Sequence, residues 1–214
     1  IFAMAIMLLL VLVLVRTSLV DEWQTQLPDD APNHFMINIG PNDVQAVDQA
    51  LREESITSEA LYPMIRGRIM AVQGAELPTR DEAEMDGPRQ REVNFNWSDT
   101  LPQGNDLVAG EWWQAGTDAA LVSVELEFAE RMGIDVGDRL SMLVGAQPLE
   151  VTVNSLRSLD WQSMRPNFFM VFPPKVLADY PATFMTSFHL DPDNKVLINE
   201  FIRHFPTETV IEMD

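Results

Sequence analysis

Cysteine is absent from the 214 residues. That excludes disulfides, thiolate metal sites and cysteine nucleophiles. It does not exclude export, because a domain of this size can fold on its apolar core alone. Positive charge is scarce: 14 Lys and Arg stand against 33 Asp and Glu, a net charge of −19. This balance speaks against a nucleic-acid partner, since phosphate contacts need a basic surface. It disfavours direct docking on anionic lipid headgroups for the same reason. The acids are spread along the chain, as on a strongly solvated surface. Histidine occurs only as His34, His189 and His204. None has a second His at ligand spacing, so each reads as structural or surface. The chain also lacks an H-E-x-x-H pair, a G-x-S-x-G elbow, a phosphate loop and a dinucleotide fingerprint. No catalytic, cofactor-binding or metal-binding residue is therefore assigned, and no cofactor is expected.

What is present begins with an apolar run. Ile1 to Val15 contains no polar side chain, and Arg16 ends it. A bilayer needs roughly 20 apolar residues, so fifteen are short of a complete span. No basic segment precedes the run and no small-residue cleavage site follows it, which argues against a secretory signal. Apolar residues cover every face, which argues against a buried amphipathic helix. Residues 1–20 are therefore expected to be the C-terminal part of a transmembrane helix, and the start at Ile1 reads as a cut in a longer protein. Trp23 suits the membrane–water interface, and Leu27-Pro28 through Asn33 breaks the helix.

The rest of the chain shows a repeated grammar. Phe35–Ile39 reads as a strand, Val44, Val47 and Leu51 mark a helix over about 41–54, and 60–73 reads as a strand. Near the end, Thr183–Leu190 reads as a strand. Asp191-Pro192 reads as a helix start, Ile198, Phe201, Ile202 and Phe205 fall at helical spacing, and Thr209–Met213 closes the chain as a strand. Asp191-Pro192-Asp193-Asn194 lacks the central glycine of a calcium loop, so helix capping is the better reading. Strand-helix-strand at both ends spells the split βαβ, or ferredoxin-like, pattern. The fold class is expected to be α+β: a ferredoxin-like lobe (21–77 and 183–214) interrupted by a small β-rich lobe (78–182).

In the insert, 78–92 reads as an acidic loop, and its acids as solvated surface. Strands are expected at Val93–Trp97, Ala119–Val122 and Asn167–Phe172. A helix over 124–132 carries Val124, Phe128 and Met132 on one face, with Gly133 as its C-terminal cap. Leu140–Val144 and Leu149–Val153 read as a hairpin.

Two aromatic stretches stand out as possible partner contacts. Trp112-Trp113 lies in a turn-rich segment; on a strand, one ring would be buried and the other exposed. Arg157 to Phe169 mixes charge, aromatics and proline, and contains Asp160, Trp161 and Arg165. It reads either as a loop held by an Arg–Asp pair or as a partner-facing surface.

A family resemblance joins these features. Val122 to Leu140, with Gly133-Ile134-Asp135-Val136-Gly137-Asp138 after a helix, resembles the corresponding segment of MacB/FtsX-like periplasmic domains. Leu107 to Trp113 resembles the turn that precedes it. Arg157–Trp161 through Asn167-Phe168-Phe169, and Leu27-Pro28 to Ile39, look like the version in YbbP-type permeases. The resemblance covers nearly all of residues 16–214. It implies a non-enzymatic permease subunit in the bacterial inner membrane, with residues after about 20 in the periplasm. The implied partners are an ABC ATPase subunit, a hydrophobic or lipid-type substrate, and a periplasmic protein such as an esterase-type hydrolase. The family supplies no catalytic residues. Two other classes remain open: a membrane-anchored adaptor that regulates a periplasmic hydrolase without transport, and a membrane-tethered enzyme.

Overall fold

The computed structural model describes Met4, Ile6, Met7, Leu10 and Val11, and residues 31–76, 92–160, 165–191 and 194–213. Trp161, the acidic cluster 81–86 and most of the apolar run lie outside these. The chain divides into two compact units, Ile1–Ala31 and Pro32–Asp214. In the first, Met4, Ile6, Met7, Leu10 and Val11 are helical and exposed. Among the described residues, no helix is long and apolar enough to cross a membrane.

The second unit is a strand-rich α/β structure. Its elements are β1 (His34–Ile39), α1 (Val44–Glu53), β2 (Tyr62–Val72), β3 (Ala75–Glu76), β4 (Val93–Trp97), β5 (Asn105–Gly110), β6 (Leu121–Glu125), α2 (Leu126–Met132), β7 (Arg139–Val144), β8 (Gln147–Leu159), β9 (Met170–Phe172), α3 (Pro174–Leu177), β10 (Thr183–Phe188), α4 (Lys195–His204) and β11 (Thr209–Glu212). Four strands run β11-β1-β10-β2, each antiparallel to its neighbour. Val47 and Leu51 of α1 and Phe201 of α4 share one core with Met36, Ile39 and Phe188 of this sheet.

The remaining strands form a ring. β2 pairs β4, β4 pairs β9, β9 pairs β6, β6 pairs β8, β8 pairs β7, and β7 returns to β2. This is a closed six-stranded barrel whose staves have no free edge. Its interior follows from strand alternation. On β2, Ile65, Gly67, Ile69 and Ala71 are buried while Arg66, Arg68 and Met70 are exposed. Phe95, Val122, Val124, Leu140, Met142, Met170 and Phe172 fill the same core. Full burial of each such side chain contributes about 1.5–3 kcal/mol. β2 is common to both parts: Tyr62–Met64 pair with β10, whereas Ile65–Val72 are a barrel stave.

Several expected elements differ in detail. Val124 belongs to β6 and not to the following helix. Glu125 ends that strand and caps α2, its carboxylate accepting from the Glu127 and Phe128 amides at 3.0 and 2.7 Å. Gly133 ends α2 with φ 65°, the left-handed cap anticipated for it. Helix α4 starts at Lys195 with Asn194 at the cap position, so Asp191 does not cap it. A turn closed by the Asn194 amide on the Asp191 carbonyl, at 2.8 Å, comes first. Strand β9 is only three residues long, and β5 was not anticipated.

The Gly133–Asp138 segment proves to be a structural lock. Asp138, 7% exposed, accepts from the Asp135 amide at 2.8 Å and from the Gln73 side-chain amide at the end of β2. The Gly137 amide donates to the Val153 carbonyl of β8 at 2.8 Å. Replacing Asp138 with alanine is expected to cost about 1 kcal/mol, because it removes two part-buried hydrogen bonds that tie the turn to the end of β2. Urea unfolding checks this; an unchanged midpoint would remove the lock.

Candidate functional site

On their outer face, β6 and β8 carry four buried polar side chains, Ser123, Glu125, Ser155 and Arg157. Ser123 and Ser155, paired across β6 and β8, exchange a hydrogen bond at 2.9 Å. The next pair in that register is Glu125 and Arg157, 2% and 0% exposed. Arg157 donates to Asn105 Oδ1 of β5 at 3.0 Å and to the Phe168 carbonyl at 2.6 Å. Burial pushes its guanidinium down to about 10, partly opposed by the Glu125 charge, so it remains a cation at neutral pH. Arg157 therefore ties the segment before β9 to the barrel wall.

Phe168 belongs to an aromatic cluster on this face, with Met64, Trp113 and Val171 buried and Tyr62, Trp112, Leu121 and Met185 packed around them. Trp112 and Trp113 lie outside any strand, so they do not alternate. Their rings stack at 3.9 Å. Both indoles are anchored, Trp112 Nε1 to the Asp99 carbonyl and Trp113 Nε1 to the Ser98 carbonyl, each at 3.0 Å. Trp113 is 7% exposed and Trp112 half-buried. At the edge of the cluster, Arg165 pairs with Glu59 at 2.9 Å. Desolvation, then the Glu59 charge, raises the Tyr62 hydroxyl above its ordinary value, with Arg165 acting the other way. Asp160 is exposed, and its carbonyl accepts from the Asn167 side chain at 3.1 Å. At its two ends the segment is held by Arg157 on Asn105 and the Phe168 carbonyl, and by Arg165 on Glu59.

Phe168 also borders a cavity of about 400 Å³ between β2, β4, α2 and the 167–169 segment. Phe128 and Phe169 stack at 5.1 Å along it, and the Arg131 guanidinium sits 5.9 Å from the Phe128 ring centre. Met132 and Met185 add adaptable apolar surface, while Glu92, Asn94 and Asn167 supply polar groups. An apolar cleft with a few polar groups is the usual form of a small-molecule site. In the sequence its residues read as helix face, strand and loop, with Asn167–Phe169 also part of the stretch that could face a partner, and not as a cavity. The signal available was the aromatic pair at Phe168-Phe169 opposite Phe128. Among the described residues, no group of three or more His, Asp or Glu is placed to hold a metal ion.

Over 99% of its length the chain is 36% identical to the uncharacterized ABC transporter permease YbbP of Escherichia coli. The chain matches a stretch of a YbbP-type ABC transporter permease. It spans about a quarter of that protein, 25%. No family model matches the chain. A crystal structure of a domain assigned to a permease protein of Porphyromonas gingivalis aligns over 86% of this chain and 92% of that one, with 14% identity and a TM-score of 0.40. That score is too low to equate the two folds. The similarity to YbbP agrees with the resemblance seen in the sequence motifs.

Proposed function

We propose that this chain is the periplasmic domain of an ABC transporter permease that couples ATP hydrolysis in a separate cytoplasmic subunit to extraction or export of a hydrophobic, lipid-type substrate. The observation that carries this is the 36% identity to the YbbP permease across 99% of the chain. In this reading the chain itself is not an enzyme. Residues 1–20 belong to a helix of the inner membrane, and the residues after them lie in the periplasm. The β11-β1-β10-β2 order with two helices on one core supports a ferredoxin-like lobe at 21–77 and 183–214, with 78–182 as the β-rich insert. The cavity beside Phe128 and Phe169 has the chemistry to hold an apolar chain. Trp112, Asp160, Trp161 and Arg165 are proposed as a surface for a periplasmic partner such as an esterase-type hydrolase, with Trp113, 7% exposed, packed against Trp112 as its support. The adaptor reading has no comparable similarity behind it.

The test uses the full-length permease with its ATPase in proteoliposomes and a fluorescent fatty-acid analogue as probe. Phe169→Ala is expected to weaken probe binding by roughly 5–30-fold, the equivalent of about 1–2 kcal/mol of lost apolar contact. ATP-driven movement of the probe should fall with it. Wild-type movement with an emptied cavity would rule the cavity out. Absence of ATP-dependent movement, alongside altered hydrolase activity, would favour the adaptor.

A further inference from the structure

The helix layer carries a second cavity, independent of the transport reading. It lies between α1 and α4 and encloses about 370 Å³. Its apolar lining is Ala50, Leu197, Phe201 and Phe205, with Phe201 only 5% exposed. Ala46, one turn before Ala50, is exposed and keeps the α1 wall low. The rim carries three exposed acids, Glu53 and Glu54 at the end of α1 and Glu200 on α4, against one exposed histidine, His204. The C-terminal end of α1 adds its own partial negative charge there. Arg52, the nearby cation of α1, pairs with Asp48 at 3.0 Å and does not line the groove.

From this juxtaposition we propose that the α1–α4 groove docks a basic amphipathic helix of a partner protein. An apolar stripe at 3–4 residue spacing would seat against Phe201 and Phe205, and flanking Lys or Arg would face Glu53, Glu54 and Glu200. The lining comes from α1, α4 and the residue that follows each, and includes no strand, so an added strand has no edge to pair with. A second copy of this chain would bring like charge to the rim, given the net charge of −19. Anionic lipid would be repelled in the same way.

The test places a photo-crosslinking residue at Gln49, which lines the groove and is exposed, in the full-length protein in its native membrane. The expected product is an adduct with a different polypeptide, whose crosslinked segment carries excess Lys and Arg with apolar residues at helical spacing. Ala46→Trp, which fills the groove, and the triple reversal Glu53→Lys, Glu54→Lys, Glu200→Lys should each lower adduct yield by about tenfold or more at low salt, with melting unchanged. Should the reversal not fold, the triple Gln variant keeps the side-chain shape and serves instead. Adducts to a second copy, to lipid or to a segment without basic excess would overturn the proposal. So would no adduct, or a yield indifferent to the substitutions.

Discussion

Arg157→Ala is expected to destabilise the fold by about 3 kcal/mol or more, as removal of a buried, hydrogen-bonded charge beside an opposite one does. Three losses combine. Asn105 Oδ1 and the Phe168 carbonyl lose their donors, each a buried polar group left unmade. The Glu125 carboxylate, already committed to capping α2, loses the opposite charge beside it. The side chain, fully buried, also leaves a void. The cation is not itself a bonus. Its lowered pKa means that the charged form is better solvated in the unfolded chain, so its hydrogen bonds must offset a desolvation cost. Its Nε hydrogen, moreover, finds no partner among the described residues. Arg157→Met, which keeps most of the volume, should therefore cost less, roughly 2 kcal/mol. Urea unfolding, read from midpoint and slope, gives both values. If the two variants were equally and only slightly destabilised, Arg157 would not be holding the 165–168 segment.

Gly67→Ala is expected to cost about 3 kcal/mol, at the upper end for overpacking. A Cβ at Gly67 would lie 2.0 Å from Cε2 of Phe95. Phe95 is fully buried in the barrel and packs against Phe172 with ring centres 5.0 Å apart, so it has little room to retreat. Gly67 itself pairs with Val93 on one side and Val144 on the other, which fixes its backbone from both edges. The collision predicts a rescue. Phe95→Leu is destabilising alone, but Gly67→Ala added to it should cost less than Gly67→Ala in the wild type, by 1 kcal/mol or more. Strict additivity in the double-mutant cycle would show that the ring is not the obstacle.

Much of the fold was legible because it rests on local signals. The helix at Val44–Glu53 follows from Val44, Val47 and Leu51, two of which are buried as the spacing required. The β7–β8 hairpin follows from the apolar runs Leu140–Val144 and Leu149–Val153, which lie in the paired strands. Ring closure was not legible. It depends on the pairing of Ile65–Val72 with both β4 and β7, a long-range register that no local pattern encodes. Strand β5 was hidden for a related reason: five of its six residues are exposed, so it has no apolar alternation, and pairing with β8 alone holds it. The Trp pair was misjudged in orientation because Glu111–Gln114 is irregular backbone, where the strand rule of opposite faces does not apply. The role of Arg157 was concealed because a single arginine in a mixed segment looks the same whether it is solvated or buried. Only the neighbouring Asn105, 52 positions away, distinguishes the two.

Strand β2 runs without interruption from the helix-covered sheet into the barrel. Its eleven residues stay in strand conformation, and the one irregularity of its pairing with β7, between Ile69 and Ala71, lies within the barrel. A displacement at the Tyr62 end would be passed toward the Val72 end through a stave that β4 and β7 grip from either side. The strand is thus a push-rod, and the two structural layers share one mechanical fate.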